Sequence, residues 1–187
     1  MQKKGMVWVI GASGGLGRAA AQAFAQNGWS VIAGARSFAE GTSPLGEGVT
    51  VLPLDVTSEE SCAAFVKKAL SRENRVDVLV CAAAQLVLGS CENTTVDELD
   101  RLLNVNVLGT VRMVQRALPL MRRQKGGKMI LFSSINGLLG IPFQSAYTAS
   151  KHALEGYAEC LAMETADFGI QVCLVEPGDH RGGSSHT

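Results

Sequence analysis

Short apolar runs alternate with helical patterns along most of the 187-residue chain. We predict strands at residues 6–10, 31–33, 49–54, 76–81, 128–133 and 171–175. We predict helices at residues 15–28, 57–70, 95–121 and 147–168, the second and third opening on capping boxes at Thr57 and Thr95. Continuous apolar strands separated by helices are typical of a parallel sheet that helices cover on both faces. The alternation therefore predicts a doubly wound α/β fold.

Charge and composition narrow the class of protein further. The chain has 17 Lys and Arg against 17 Asp and Glu, a formal net charge of 0, which disfavours binders of nucleic acid or of anionic membrane surfaces. Hydrophobic residues make up 47%, which argues against disorder, and no apolar run is long enough to span a bilayer. No linker divides the chain, so we expect one domain over residues 1–178 and a loop or disordered tail over 179–187.

The cysteines indicate a reducing compartment. They are odd in number, widely spaced and form no CxxC pair: Cys62, Cys81, Cys91, Cys160 and Cys173. This pattern disfavours a disulfide framework and a zinc site, and we predict no metal site. Buried, reduced thiols in a cytoplasmic protein are the expected state.

A glycine-rich loop, Gly11-Ala12-Ser13-Gly14-Gly15-Leu16-Gly17, lies between the first predicted strand and the first predicted helix. Glycines allow a tight turn and a close approach to a pyrophosphate, while the helix N-terminus offers free N–H groups and a partial positive charge. Such a loop could also be a simple flexible turn, but its position between strand and helix favours a nucleotide site. The nucleotide contacts expected here are Gly11, Ser13, Gly15, Leu16 and Gly17.

Arg36 follows the second predicted strand, and no Asp or Glu lies between Gly28 and Glu40. An acidic residue in this region would bind the ribose diol of NAD, whereas a guanidinium pairs with the 2′-phosphate of NADP. Ser13 is expected to add a hydroxyl donor to the same phosphate. Arg36 could instead be an ordinary solvated arginine. We predict NADP(H) as the cofactor, with NAD(H) as the second choice.

Tyr147 and Lys151 stand four residues apart in a predicted helix, which places them on the same face. A phenol has a pKa near 10, and a neighbouring ammonium lowers it, so that proton exchange with an alcohol or carbonyl becomes feasible. Ser134 follows a predicted strand and is therefore expected at the carboxyl edge of the sheet, where it could hold a substrate oxygen. Taken singly, each of these residues could be structural, and Ser133 is a competing hydroxyl.

Together these features resemble the short-chain dehydrogenase/reductase family. The similarity covers the chain from Val7 to Gly178 and rests on the glycine spacing, on Asn106 in an Asn-Val-x-Gly signature, and on Ser134, Tyr147 and Lys151. Residues 77–80 and 136–156 are most similar to the hydroxysteroid and retinol dehydrogenase branch. The resemblance implies a Rossmann sheet with strand order 3-2-1-4-5-6.

The resemblance also implies a reaction: reversible hydride transfer between a nicotinamide and a small-molecule carbonyl or secondary alcohol. Tyr147 would be the acid or base, and Ser134 would orient the substrate oxygen. Lys151 would hold the cofactor ribose and lower the pKa of Tyr147, and Asn106 would support a water-mediated proton relay. Asn104 would face elsewhere.

Further cofactor contacts follow from the same resemblance. Asp55, with Val56, matches the position that contacts the adenine ring, although it could also be a helix-flanking loop carboxylate. The remaining contacts are Ala82, Ala83 and Ala84 near the ribose, Pro177 and Gly178 near the nicotinamide, and Tyr147 and Lys151 themselves.

The chain departs from the family pattern at three places. Ile10 replaces the usual Thr before the first glycine, and Cys81-Ala82-Ala83-Ala84 replaces Asn-Asn-Ala-Gly. The amide hydrogen bonds of that motif are therefore lost, which is expected to affect stability or cofactor affinity but not the fold. The chain also ends ten residues after Pro177, so a seventh strand is missing. We expect either a piece that lacks its C-terminal part or a natural short form.

These departures keep a second functional class open, a weakly active or inactive nucleotide-binding or assembly module. A nucleic-acid binder has little support, since no basic stripe accompanies the glycine loop. The helices at 95–121 and 147–168 match those through which family members pair, so the resemblance implies a homodimer.

Overall fold

The computed structural model describes residues 4–39 and 45–179. Its elements in chain order are β1 (Met6–Ile10), α1 (Gly15–Gln26), β2 (Ser30–Ala35), β3 (Val49–Pro53), α2 (Glu59–Arg72), β4 (Val78–Cys81), α3 (Val96–Leu103), α4 (Gly109–Gln124), β5 (Gly127–Phe132), α5 (Ser145–Thr165) and β6 (Ile170–Val175). The predicted tail lies outside the described residues from position 180 onward.

The described strands form one parallel sheet in the order β3-β2-β1-β4-β5-β6. In the centre, Val7 of β1 pairs in register with Val31 of β2 on one side and with Val78 of β4 on the other. The doubly wound fold and its strand order are therefore confirmed. Because all strands are parallel, their carboxyl ends meet along one edge, where ligands bind in open α/β sheets.

Apolar side chains alternate between the two faces of the sheet and form two core clusters. On one face, Trp8 of β1 packs edge-on against Phe65 of α2, with 6.0 Å between ring centroids, and α4 and α5 complete the cluster. On the other face, α1 packs against β1 and β2. There, Phe132 of β5 is only half-buried and Cys173 of β6 is exposed, so the predicted covering of both faces is incomplete among the described residues.

The helix predicted over 95–121 is not continuous. Its capping box at Thr95 is confirmed, because the Thr95 hydroxyl accepts from Glu98 N and the Glu98 carboxylate accepts from Thr95 N. The α-helical pattern then gives way to a π-helical turn at Asn104–Leu108 before α4 resumes. Such turns inside helices are frequent at functional sites, and this one contains Asn106.

The capping box predicted at Thr57 is wrong by one residue. The N-cap of α2 is Ser58, whose hydroxyl accepts from Ser61 N. The Thr57 hydroxyl is already engaged, because it donates to Asp55 Oδ1 at 2.7 Å. A local side-chain hydrogen bond therefore decides where the helix begins.

All five cysteines are free, but the expected burial holds only for Cys62 and Cys81. The other three are exposed: Cys91, Cys160 and Cys173. Cys160 and Cys173 belong to α5 and to the edge strand β6, on sides that face away from the core. Among the described residues, no helix has the length and apolar character to cross a membrane.

Candidate active site

The glycine loop connects β1 to α1 and packs tightly against the end of β4. Gly11 has φ of 85°, and a Cβ there would lie 2.4 Å from Ala83 N. A Cβ on Gly17 would lie 2.3 Å from the Gly11 carbonyl oxygen. At Gly14, by contrast, a Cβ would meet no atom within 4 Å. Two glycines are thus needed for packing within the protein, while Gly14 faces open space.

The N-terminus of α1 fits an anion. Its N-cap, Gly14, supplies no side-chain acceptor, and the first turn holds no acidic residue, so the N–H groups of Gly15, Leu16 and Gly17 have no capping partner. The Arg18 guanidinium adds positive charge beside the loop, where its Nε donates to the Ser13 carbonyl at 3.3 Å. A cradle of this kind matches a pyrophosphate.

Arg36 and Ser13 line the same open depression, which has a volume of about 440 Å³ and also contacts Ser37. Two residues that carry a guanidinium and a hydroxyl therefore border one space at the end of β2. Both are donors suited to a phosphate oxygen.

The sequence left two interpretations of Asp55 open, a contact with the adenine ring or a helix-flanking loop carboxylate. Hydrogen bonds from the side chain and backbone of Thr57 lower the pKa of this carboxyl, and the positive charge of Arg36 lowers it further. Asp55 therefore stays ionised and helps to close the turn before α2. Val56 is buried, and its carbonyl accepts from Arg112 Nη1 at 3.0 Å.

Ser134, Tyr147 and Lys151 come together at the carboxyl end of β5. Lys151 is buried, with 2% of its surface exposed. Its Nζ donates to the Phe132 carbonyl at 2.7 Å and lies 5.5 Å from the centroid of the Tyr147 ring. Ser134 lies close enough to Tyr147 for its side chain to lower the pKa of the phenol. Ser133, the competing hydroxyl, is buried and has no hydrogen-bond partner.

Burial controls the ionisation of this cluster. Desolvation raises the pKa of Tyr147, and the nearby Ser134 side chain offsets only part of that rise. Desolvation also lowers the pKa of Lys151 to about 8, against an opposing effect of the Glu155 carboxylate. The expected lowering of the Tyr147 pKa by Lys151 is therefore wrong for the protein alone, because removing the phenolate from water outweighs the favourable interactions.

Asn106 connects the segment after β4 with α5. Its Oδ1 accepts from Gln85 N at 2.7 Å, and its Nδ2 donates to the Gln85 carbonyl at 2.9 Å and to Ser150 Oγ at 3.1 Å. Ser150 in turn donates to the Tyr147 carbonyl at 2.7 Å. The Asn104 side chain makes no such link: its Oδ1 is buried and has no hydrogen-bond partner.

Backbone contacts bring the other predicted cofactor residues to the same edge. Ala82 N donates to the Ile10 carbonyl at 2.8 Å, and Ala83 lies against Gly11. Main-chain bonds and the Asn106 amide therefore support the Ala82–Ala84 segment, which lacks side-chain amides of its own. Ile135 N donates to the Pro177 carbonyl at 3.1 Å, so Pro177 and Gly178 lie beside the Ser134 segment.

Two polar residues of this region escaped the sequence-based prediction. Asn136 is 4% exposed and contacts Ser134, and Glu155 has a buried Oε1 without a hydrogen-bond partner. Glu155 was detectable, since it follows Lys151 by four residues on the same helix face. Across residues 4–39 and 45–179, no group of three or more His, Cys, Asp or Glu side chains could hold a metal ion.

Comparisons with known proteins agree with this architecture. The sequence profile described as short chain dehydrogenase matches residues 5–184. A 3-ketodihydrosphingosine reductase from Bacteroides thetaiotaomicron is 40% identical over 178 residues, which are 95% of this chain and 65% of that protein. The human 17-beta-hydroxysteroid dehydrogenase type 1 is 45% identical over 127 residues, 68% of this chain and 38% of its own length.

Human retinol dehydrogenase 8 is 40% identical over 134 residues, 72% of this chain and 42% of that protein. The relatives thus include the hydroxysteroid and retinol dehydrogenases that the sequence suggested, and the chain spans at most about two thirds of each.

Solved structures give the same picture. A short-chain dehydrogenase from Streptomyces avermitilis superposes with a TM-score of 0.90 at 38% identity, over 98% of this chain and 68% of that one. A structure described as ElxO with NADP bound has a TM-score of 0.86 at 31% identity, over 95% and 74% of the two chains.

Proposed function

Because the chain belongs to the short-chain dehydrogenase family, we propose that it is an NADP(H)-dependent oxidoreductase. The proposed reaction is reversible hydride transfer between the nicotinamide and a carbonyl or secondary alcohol. One observation carries the proposal. A serine hydroxyl, a phenol and a buried ammonium meet at the sheet edge that also carries the glycine loop.

In the proposed mechanism, Tyr147 exchanges a proton with the substrate oxygen. Burial raises the pKa of Tyr147, so the phenol is protonated at neutral pH and can donate to a carbonyl that is being reduced. Ser134 donates a hydrogen bond to the same oxygen. With a pKa of about 8, Lys151 is mainly protonated at pH 7, and its ammonium stabilises the phenolate that remains.

The residues around the glycine loop fit the proposed cofactor, which supplies or accepts the hydride when bound. The open side of Gly14 and the uncapped α1 N-terminus suit the pyrophosphate. The residues that would hold the group are Gly11, Ser13, Gly15, Leu16, Gly17, Arg36, Asp55, Val56, Ala82, Ala83, Ala84, Tyr147, Lys151, Pro177 and Gly178.

The preference for NADP rests on Arg36. Its guanidinium shares a depression with the Ser13 hydroxyl, and a structural neighbour is described with NADP bound. Both facts support a site for a 2′-phosphate. NAD remains the second choice.

Asn106 is proposed to support the proton relay behind Lys151. The π-helical turn at Asn104–Leu108 interrupts the regular helix at this residue. Because the Asn106 side chain also bonds to Ser150, the turn is tied to the helix that carries Tyr147 and Lys151. These contacts support a specific role for Asn106 over a solvated one.

The proposal is tested by NADPH binding followed by turnover. We expect NADPH fluorescence to report binding. Absorbance should report oxidation of NADPH by at least one carbonyl compound from a panel of a 3-keto sphingoid base, a steroid 17-ketone, retinal and an aromatic diketone. Tyr147→Phe should bind NADPH normally but lower turnover by about a hundredfold or more, the usual contribution of a general acid.

The chain has two tyrosines, so Tyr157→Phe is the matched control and should keep its turnover. Unchanged turnover in Tyr147→Phe would remove Tyr147 from the proposed role. Binding of NADPH without its oxidation by any of these carbonyl compounds would instead favour the alternative function, a nucleotide-binding or assembly module. The observation that favours this alternative is that Cys81-Ala82-Ala83-Ala84 replaces the usual Asn-Asn-Ala-Gly.

The remaining proposals concern the whole protein. The substrate class is proposed from the names of the relatives, as a ketone or alcohol of a sphingoid, steroid or retinoid type. We also propose one domain over residues 1–178, a cytoplasmic location consistent with five free thiols, and a homodimer.

A further inference from the structure

We propose that Asn136 is a positioning residue that orients the Ser134 hydroxyl toward Tyr147 and the substrate oxygen. The inference rests on the proposed function, because it gives Ser134 a part in the reaction. It goes beyond that function in assigning a role to a residue outside the Ser-Tyr-Lys set.

Asn136 contacts the Ser134 hydroxyl both as a donor and as an acceptor. Its backbone N–H donates to Ser134 Oγ at 3.2 Å, and its Oδ1 accepts from Ser134 Oγ at 3.3 Å. Both residues are buried, at 4% and 7% exposure. These two contacts hold the Ser134 hydroxyl in one place, close enough to Tyr147 for the two side chains to interact.

The amide orientation of Asn136 is fixed by its other end. Nδ2 has two hydrogens, and both find an acceptor: Gln144 Oε1 at 3.0 Å and Thr148 Oγ1 at 3.0 Å. In this orientation both hydrogens of the Asn136 amide have an acceptor, and Oδ1 faces the Ser134 hydroxyl.

These contacts connect the two segments whose relative position matters for the proposed chemistry. Ser134 lies after β5, whereas Gln144 is the N-cap of α5 and Thr148 follows Tyr147 in its first turn. One buried side chain thus spans from the serine to the helix turn that carries the phenol. Buried polar networks of this kind hold a single geometry when every member is satisfied.

The single hydroxyl proton of Ser134 would have two possible acceptors, Asn136 Oδ1 and the substrate oxygen. In the structure that proton goes to Asn136 Oδ1, and in the reaction it would go to the substrate oxygen. Asn136 is close enough to hold the hydroxyl ready but, at 3.3 Å, bonds it weakly. The hydroxyl can therefore rotate to the substrate without leaving its place.

The test is a double-mutant cycle on the full 187-residue chain with NADPH and the ketone that turns over fastest. We expect Asn136→Ala to lower kcat by about tenfold through misplacement of Ser134, with little change in the KM for NADPH. In a Ser134→Ala background the same change should alter kcat by less than about twofold, since its target is gone.

Two further variants separate positioning from general damage. Thr148→Val keeps Asn136 but removes one acceptor of its amide, and it should lower kcat by about threefold, the loss of one modest hydrogen bond. Asn27→Ala removes an exposed asparagine bonded to the Ala23 carbonyl and should leave kcat unchanged. If the reductions of kcat by Asn136→Ala and Ser134→Ala instead multiply in the double mutant, Asn136 supports the fold in general and the inference is overturned.

A second measurement keeps the inference independent of turnover. The two tyrosines can be labelled at Cζ with carbon-13 and assigned with Tyr157→Phe. Asn136→Ala should shift the pH titration of the Tyr147 signal when Ser134 is present and leave it unshifted in Ser134→Ala. An unshifted titration in both backgrounds refutes the positioning role. If Ser134→Ala leaves kcat unchanged, the proposed function loses its serine, and this titration alone decides the role of Asn136.

Discussion

Individual residues of the glycine loop have different tasks, although they look alike in the sequence. A Cβ on Gly17 would lie 2.3 Å from the Gly11 carbonyl oxygen, whereas a Cβ on Gly14 would meet nothing within 4 Å. Gly14 has φ of −160°, an extended backbone that any residue adopts. Gly17 therefore belongs to the packing of α1 against the loop, and Gly14 to the open side of the site.

This difference predicts opposite phenotypes for two alanine substitutions. Gly17→Ala should lower the free energy of unfolding by about 1–3 kcal/mol, because the backbone must shift to admit the methyl group. Gly14→Ala should leave stability nearly unchanged but weaken NADPH binding, since its methyl group would occupy the space facing the phosphates. Urea denaturation and NADPH fluorescence titration measure the two effects. Equal stability losses in both variants would contradict this division.

Arg36 is the residue on which cofactor choice should depend. Replacing it with Asp removes a charged donor from the depression that it shares with Ser13 and adds a repulsive charge. A hydrogen bond to a charged group contributes about 1.5–3 kcal/mol, so the KM for NADPH should rise by about tenfold or more. The KM for NADH should change little, because NADH has no 2′-phosphate.

The matched control for Arg36→Asp is Arg123→Asp, which changes another exposed arginine, at the end of α4. It should leave both KM values unaltered. A similar rise in the KM values for NADH and NADPH in Arg36→Asp would show that Arg36 does not bind the 2′-phosphate.

At the scale of one element, α5 presents Tyr147, Lys151 and Glu155 on successive turns of one face. The charged or titratable groups that face Lys151 are Tyr147 and Glu155 on its own helix, and β5 contributes the neutral carbonyl of Phe132. The Glu155 carboxylate raises the pKa of Lys151 against the effect of burial. Glu155 therefore keeps the lysine charged in a site that disfavours charge.

Glu155→Gln should thus lower the pKa of Lys151 below its value of about 8. Activity that needs the ammonium is present below this pKa and is lost as pH rises through it, so the alkaline limb of the kcat profile should move to lower pH. Glu159 is an exposed carboxylate one turn further on, and solvent and salt screen its charge. Glu159→Gln should therefore leave the alkaline limb of the kcat profile unchanged. A uniform loss of activity at every pH would indicate a steric role for Glu155.

The elements show how far sequence reasoning reaches. The strand β1 was predicted to the residue, because an unbroken apolar run between Gly5 and Gly11 has few alternatives. The break at Asn104–Leu108 was not predicted, since it depends on bonds from Asn106 to Gln85 and Ser150, which are distant in the chain. The start of α2 was missed because Thr57 bonds locally to Asp55.

The same distinction applies to the candidate site. Ser134, Tyr147 and Lys151 could be grouped from their spacing and from the family resemblance. Asn136 could not be added to this group from the sequence, because its role depends on tertiary hydrogen bonds with Gln144 and Thr148. The raised pKa of Tyr147 could be derived only from the structure, because it results from burial, which outweighs the opposite effect of the Ser134 side chain.

Across the whole molecule, the parallel sheet gathers groups that are far apart in the chain. The glycine loop follows β1, Arg36 follows β2 and Ser134 follows β5, yet all three lie at carboxyl ends and so along one edge. The fold therefore separates two tasks. The β1–β3 half offers donors for phosphates, and the β4–β6 half holds the groups that would move protons.

The outer face of α5 is where we expect two copies of the chain to meet. The helix buries Leu154, Ala158 and Leu161 against the sheet, while Met163 is 74% exposed on the opposite side. At Gly156 an added Cβ would meet nothing within 4 Å, so this side of the helix is open to close approach. A face with small residues and one large apolar side chain suits the helix pairing implied by the family resemblance.

Met163→Glu should therefore convert a dimer into a monomer, because two carboxylates brought together across a twofold interface would be desolvated and would repel each other. Sedimentation equilibrium at micromolar concentration measures the change, and NADPH fluorescence checks that the monomer still binds the cofactor. Ala64→Glu, which adds the same charge on the exposed side of α2, should remain dimeric. A wild-type chain that sediments as a monomer would contradict the homodimer, and a dimer that survives Met163→Glu would exclude this face of α5 as its interface.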